Sequence, residues 1–216
     1  MMLPPLLVLT DRTQARRPLP DVVRAAVDGG ARVVVVREKD LPRRERARLV
    51  DTLRPLLADV GGRLLVASDP AIEADGVHLA ADDPLPAPRP GILGRSCHDA
   101  SGLAAATTDG LDEVTLSPVA PTPSKPGYGP TLGYEGVRRL CATTPIPVYA
   151  LGGVDVTNAA RWRAAGAAGV AVMGSVMRSA RPDRVVAELL AAMIRCAHSA
   201  SSLHPRHPAK EADACP

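Results

Sequence analysis

Arg37 and Lys39 stand two apart behind a run of four valines, Val33–Val36, and Lys125 sits in the proline-rich segment Pro121–Gly127. The chain has three lysines against 23 arginines, so Lys is a departure from its prevailing base. An ammonium is a compact charge on a flexible stem, suited to one phosphate oxygen or a leaving group, whereas a guanidinium binds as a planar fork. Acidic groups occur in Ser68-Asp69 and in Asp82-Asp83. Carboxylates from two neighbouring loops can hold a hard cation such as Mg2+, leaving positions for water and phosphate. Gly152-Gly153 and Gly174-Ser175 can expose backbone N–H groups to a second anion. These types equip a site for two phosphorylated ligands, one of them a diphosphate with metal. His78 reads as a hydrogen-bonded core histidine. Cys97-His98 is no nucleophilic dyad, because neighbouring strand residues face opposite ways. A Ser-His-Asp hydrolase lacks its nucleophile elbow here.

Positioning these groups requires a scaffold, and short apolar runs alternating with helical patterns supply one. Strands are predicted at Leu6–Thr10, Val33–Arg37, Leu64–Ala67, Gly76–Leu79, Ile92–Ser96, Glu113–Ser117, Pro147–Leu151 and Gly169–Met173. Several are apolar throughout, as parallel strands buried on both faces should be. Helices are predicted at Leu19–Asp28, Arg43–Asp59, Ala100–Thr108, Tyr134–Cys141, Asn158–Ala165 and Pro182–Ala197. In the second of these, Leu49, Leu53, Leu56 and Leu57 make the apolar stripe. The alternation predicts one α/β domain over residues 1–197, a (β/α)8 TIM barrel. A doubly wound sheet stays open as the alternative, since counting strands does not show closure. Asp69–Asp75 is too short for a normal helix and Asp82–Pro90 holds four prolines, so the third and fourth helices are expected to be degenerate. Residues 198–216 are expected to be a disordered tail. On such a barrel every polar group named falls just past a strand C-terminus, the face on which barrel enzymes build their sites.

Composition narrows the function classes. Aromatic residues make up 2% of the chain, too few to stack single-stranded bases, and a net charge of +3 offers no basic stripe for duplex DNA. Cys97, Cys141, Cys196 and Cys215 are too scattered for a zinc site or a disulfide framework. The start lacks a signal-peptide pattern and no stretch approaches twenty apolar residues, so a cytoplasmic protein is expected, without membrane or nucleic-acid partners. A homo-oligomer is possible but not specified.

Five blocks taken together carry a resemblance. Arg37–Asp40, Ala74–Leu79, Gly94–His98, Ser117–Lys125 and Leu151–Val154 occur in the order and spacing of thiamine-phosphate synthases, over roughly residues 6–190. That resemblance implies a transferase joining hydroxymethylpyrimidine diphosphate to a thiazole phosphate with release of pyrophosphate. It implies that Arg37, Lys39 and Lys125 hold the departing diphosphate, that Asp69 and Asp83 bind Mg2+, and that Ser96 contacts the pyrimidine. Thr122 and Ser124 would bind the thiazole substrate, with Gly152, Gly153, Met173 and Gly174 near its phosphate. The sequence departs from the family at Val35, where the family has Gln, and at Ser68, where it has Asn; both family residues address the pyrimidine. Ser117 replaces the glycine of a Gly-Pro turn. The alternatives are a thiazole tautomerase, which carries a catalytic His where this chain has Pro118, and a non-catalytic paralogue that binds a phosphorylated thiazole or thiamine phosphate.

Overall fold

The apolar runs pair with one another in chain order. The computed structural model describes residues 2–122, 127 and 129–201, with side chains as far as Ile194. Its strands are β1 (Leu6–Leu9), β2 (Val33–Val36), β3 (Arg63–Ala67), β4 (Gly76–Leu79), β5 (Ile92–Cys97), β6 (Glu113–Leu116), β7 (Val148–Leu151) and β8 (Gly169–Val172). Every pairing is parallel, and β8 returns to β1 with Leu7 opposite Ala171. The sheet is therefore a closed barrel, which decides against the open doubly wound arrangement.

Strand residues alternate between two apolar layers. Leu7, Leu9, Val33, Val35, Leu65, Ala67, Ile92, Tyr149 and Ala171 fill the inside. Val8, Val34, Val36, Leu64, Val66, Val114, Leu116, Val148, Val170 and Val172 face outward into the helical layer. Full burial of each such side chain is worth about 1.5–3 kcal/mol, so short strands suffice once both faces are covered. With no Phe in the chain, Tyr149 is the one large ring inside; its hydroxyl donates to the Leu3 carbonyl at 2.9 Å and closes the N-terminal end.

The described helices are α1 (Leu19–Asp28), α2 (Arg43–Ala58), α3 (Ala100–Thr108), α4 (Gly133–Cys141), α5 (Ala159–Ala164), α6 (Gly174–Met177) and α7 (Pro182–Ser201). Neither the β3–β4 nor the β4–β5 connection contains a helix, in keeping with the short span and the prolines. Two expectations need correction. The buried face of α2 is Arg46, Val50, Leu53 and Leu57, with Leu49 and Leu56 only partly covered. Arg46 is drawn inward by a carboxylate described below. Helix α7 runs to Ser201, past the expected boundary at 197, because no Gly or Pro interrupts the chain before Pro205. The rest of the expected tail, 202–216, lies outside the described residues, among which no helix is long and apolar enough to cross a membrane.

Candidate active site

At the C-terminal mouth of the barrel lies a cavity of about 450 Å3. Of the residues singled out from sequence, Val35, Arg37, Lys39, Ser96, Thr122, Gly152, Gly153, Met173 and Gly174 all line it. Ser68, Asp69 and Asp83 are not among the lining residues. Ser124 and Lys125 lie outside the described residues.

Alternation explains how Arg37 and Lys39 reach the cavity. The intervening Glu38 and the following Asp40 turn to Arg12, in the loop after β1. Glu38 is buried and accepts the Arg12 backbone N–H at 3.0 Å, and the Arg12 guanidinium grips Asp40 with two bonds of 2.8 and 2.7 Å. The Arg37 N–H donates to the buried Thr10 hydroxyl at 3.0 Å. The loop after β2 is thus pinned through its even positions, and its two cations are held at the cavity wall. The side chain of Arg12 stays cationic throughout, since its bonds to Asp40 and then Glu38 push its pKa up, while the same guanidinium holds Asp40 below the usual carboxylate range.

The two expected metal ligands differ sharply. Asp69 is buried, and α2 supplies its partners: Arg43 Nε donates at 2.8 Å and Arg46 at 2.5 Å, both to Oδ2. Oδ1 takes a second Arg43 contact at 3.1 Å and the Ala71 N–H at 3.3 Å. Burial alone would raise this carboxyl, but the hydrogen bonds and charges of the arginines outweigh it and pull the pKa down. As folded, both Asp69 oxygens accept hydrogen bonds from the protein. Asp83 is half-buried at the β4 exit and accepts the Ala80 N–H at 2.7 Å. Burial pushes its carboxyl up, Lys39 and Arg95 help pull it down, and the pull wins. A carboxylate has about four acceptor sites, so Asp83 fits a hard cation that takes its remaining ligands from phosphate and water. Among the described residues no three His, Cys, Asp or Glu side chains converge into a closed cage.

Across the cavity, Gly152 and Gly153 follow β7 with φ of 96° and 66°. A Cβ on Gly153 would stand 2.4 Å from the Pro121 carbonyl, so only glycine lets the loops after β6 and β7 pack so closely. After β8, Gly174 leaves room for Arg178, whose guanidinium lies over it and also reaches Gln14. Sequence reading passed over Arg178, since nothing separates it from 22 other arginines until α6 is seen to turn it inward.

The floor of the cavity is polar on one side. His78, on β4, lines it together with Ser96 on β5. His78 Nδ1 lies 2.6 Å from Glu113 Oε1, and its Nε2 lies 3.2 Å from both Ser96 Oγ and Thr115 Oγ1. The expected hydrogen-bonded core histidine is therefore present, but its partner is a fully buried glutamate and its far edge meets the cavity. Gly94 lies between them because a Cβ there would overlap Glu113 Oε1 at 1.6 Å. An acidic residue opening a fully buried strand, with Thr115 two residues on, was the available signal. Cys97 is buried in the outer layer and His98 lines the cavity, facing opposite ways as alternation requires.

Comparison with known proteins bears on this geometry. Residues 6–176 match the family described as Thiamine monophosphate synthase. The chain is 41% identical over 198 residues to a putative thiamine-phosphate synthase of Geobacter sulfurreducens, covering 86% of this chain and 92% of that one. It is 38% identical over 188 residues to the thiamine-phosphate synthase of a Roseiflexus species, covering 82% and 79%. Its fold is similar to thiamine phosphate pyrophosphorylase from Pyrococcus furiosus, with a TM-score of 0.79 at 30% identity, covering 88% and 96%.

Proposed function

We infer the reaction from one premise: this chain belongs to the thiamine monophosphate synthase family. It is a transferase that condenses hydroxymethylpyrimidine diphosphate with thiazole phosphate, giving thiamine phosphate and pyrophosphate. The C–O bond between the pyrimidine methylene and the diphosphate breaks, and its electron pair leaves with pyrophosphate. The thiazole nitrogen then gives its lone pair to the methylene carbon, forming the new C–N bond. No general base is needed, because the barrier lies in charge separation.

The observation that carries the reading is the pinned β2 loop, which holds Arg37 and Lys39 on one wall of a cavity whose opposite wall is glycine-rich. Two fixed cations stabilise charge as it develops on the leaving group, without reorganisation during reaction. We assign Lys125 to the same group through the family's pattern. Thr122, Ser124 and the backbone at Gly152, Gly153, Met173 and Gly174 are assigned to the thiazole phosphate, with Arg178 added as its counter-charge. Asp83 would hold Mg2+, which when bound neutralises diphosphate oxygens; Asp69 would keep α2 against the β3 exit. The proposal extends to a cytoplasmic location, since phosphorylated substrates do not cross a bilayer unaided.

The test is pyrophosphate release and thiamine phosphate formation by purified protein supplied with both substrates and Mg2+. Turnover that requires both substrates supports the assignment. A folded sample that binds thiazole phosphate but forms no product would show a binding paralogue instead. Isomerisation of a thiazole carboxylate phosphate alone would show a tautomerase.

A further inference from the structure

Ser175 lines the cavity, and its hydroxyl oxygen is buried without a hydrogen-bond partner. Buried polar groups are almost always paired, so a hydroxyl left this way at a cavity wall suits a ligand oxygen. Arg178 comes three residues later, still in helical conformation at the end of α6, so the two side chains share a face of that short helix. Arg178 lines the same cavity. Its guanidinium fills the space over Gly174, where a Cβ would come within 2.2 Å of Nη1 and 2.5 Å of Cζ. Glycine at 174 admits this pose, and any larger residue would push the guanidinium aside.

The loop after β1 holds Arg178 from behind. Gln14 Oε1 accepts from Arg178 Nη1, and Gln14 Nε2 donates to Asp11 Oδ2 at 2.5 Å. A guanidinium only donates and a carboxylate only accepts, so both ends of the Gln14 amide are fixed by their partners. Asp11 is itself held by the Thr13 N–H at 3.1 Å and the Thr13 hydroxyl at 2.6 Å. Burial would raise its carboxyl, but the bonds from Thr13 and Gln14, with the charge of Arg37, hold it below the usual carboxylate range. The Arg16 N–H donates to the Met177 carbonyl at 3.3 Å, which docks the same loop on α6. Gln14 and Asp11 are not among the lining residues. Because β1 lies between β8 and β2, Asp11 comes between Arg178 and the pair Arg37 and Lys39 in the order of loops around the mouth. An anion in that position divides the cations of the mouth into two groups.

We propose that Ser175 and Arg178 form a side-chain seat for a phosphate monoester, with Gln14 setting Arg178 in place, so that the site takes a phosphorylated thiazole in preference to the free alcohol. Ser175 and Arg178 are the contacts. Gln14 is a positioning residue that acts through Arg178, and Asp11 orients Gln14. This assignment rests on the reading of the cavity as the seat of thiazole phosphate.

The experiment measures affinity for thiazole phosphate and for its dephosphorylated alcohol by calorimetry, and KM for both substrates. The proteins are the parent, Ser175→Ala, Arg178→Ala, Gln14→Leu and the Gln14→Leu, Arg178→Ala double variant. Hydrogen bonds to a charged group are worth about ten- to a hundredfold in affinity, and Arg178→Ala should lose about that much for the phosphate. Ser175→Ala should lose about tenfold and Gln14→Leu about threefold. The double variant should be no worse than Arg178→Ala alone. Affinity for the alcohol and KM for the pyrimidine diphosphate should stay within about twofold of the parent throughout, which separates this effect from general damage. An Arg178→Ala or Ser175→Ala protein that keeps its preference for the phosphate would overturn the assignment. So would additive losses in the double variant, or equal losses for phosphate and alcohol. A rise in KM for the pyrimidine diphosphate alone would move Arg178 to the other seat and overturn it too. Parent protein that turns over both substrates yet binds phosphate and alcohol alike sinks only this inference. Parent protein that binds neither form and makes no product sinks the proposed function as well.

Discussion

Replacing Asp69 by Asn separates a structural carboxylate from a metal ligand. The side chain is 4% exposed and bridges two arginines of very different standing: Arg43 is 66% exposed and Arg46 only 11%. The Arg43 pair is solvated and contributes at most about 1 kcal/mol. Arg46 is the larger stake, since neutralising Asp69 strands a buried guanidinium whose other bond is to the Ala67 carbonyl at 3.2 Å and whose Nε already lacks a partner. Breaking a buried pair from one side costs about 3–5 kcal/mol. Asn keeps one acceptor oxygen, which puts the expected loss near the lower end, about 3 kcal/mol. For a domain of this size each kcal/mol moves the melting temperature by about 2–4 °C, so a fall of about 6–12 °C is expected by calorimetry or circular dichroism. Adding Arg46→Met to Asp69→Asn should restore part of that loss, because it removes the stranded charge. The reasoning fails if Asp69→Asn melts within about 2 °C of the parent while its turnover ceases to respond to Mg2+. That pair of results would put the carboxylate on the cation instead.

Acid should erase the difference between the two proteins. The Asp69 pKa is lowered on folding, so its stabilisation is present above the unfolded value of about 4 and is lost as pH falls through the lower folded value. Melting curves of parent and Asp69→Asn should therefore converge below about pH 4. Asp83→Asn should raise the Mg2+ needed for half-maximal turnover by about tenfold or more while leaving the melting temperature near the parent's; an unaltered Mg2+ titration would remove Asp83 from the metal. Glu38→Gln weakens the grip on the β2 loop and should raise KM for the pyrimidine diphosphate more than it raises KM for thiazole phosphate. Equal changes in both constants would count against loop positioning. Gly153→Ala forces a Cβ onto the Pro121 carbonyl at positive φ, so thiazole phosphate affinity should fall while diphosphate affinity survives; unchanged affinity for thiazole phosphate would move that ligand elsewhere.

The barrel was legible because its signals are local. Val33–Val36 and Gly169–Val172 are apolar on both faces, and the glycines before them end the preceding helices. Arg37 and Lys39 were legible for the same reason, as polar residues directly behind a buried strand. What escaped notice depends on pairs far apart in the chain. The arginine partners of Asp69 come from α2, which brings Arg43 and Arg46 from 26 and 23 residues away. Periodicity alone puts Arg46 on the wet face of that helix, since a charged residue is counted as polar whatever waits opposite it. Glu113 meets His78 across 35 residues, by a register that runs from β4 through β5 to β6. The left-handed backbone of Ser68, φ 58°, was also invisible; Asn adopts that conformation more readily than Ser.

The missing helices after β3 and β4 give the barrel an uneven wall. Closure is carried by the hydrogen-bonded strands and the packed interior, so the ring survives where its outer cladding is only loop. Helix α2 backs β2 and β3, α5 backs β8, and α2, α1, α7 and α5 pack in series on one another. The helix-poor arc is the one that carries His78. Local opening needs least free energy where the fewest buried contacts must be broken. Local opening is therefore expected first around the floor that carries His78, while the walls that carry Arg37, Lys39 and Gly152–Gly153 stay braced, so the cavity has walls of different stiffness.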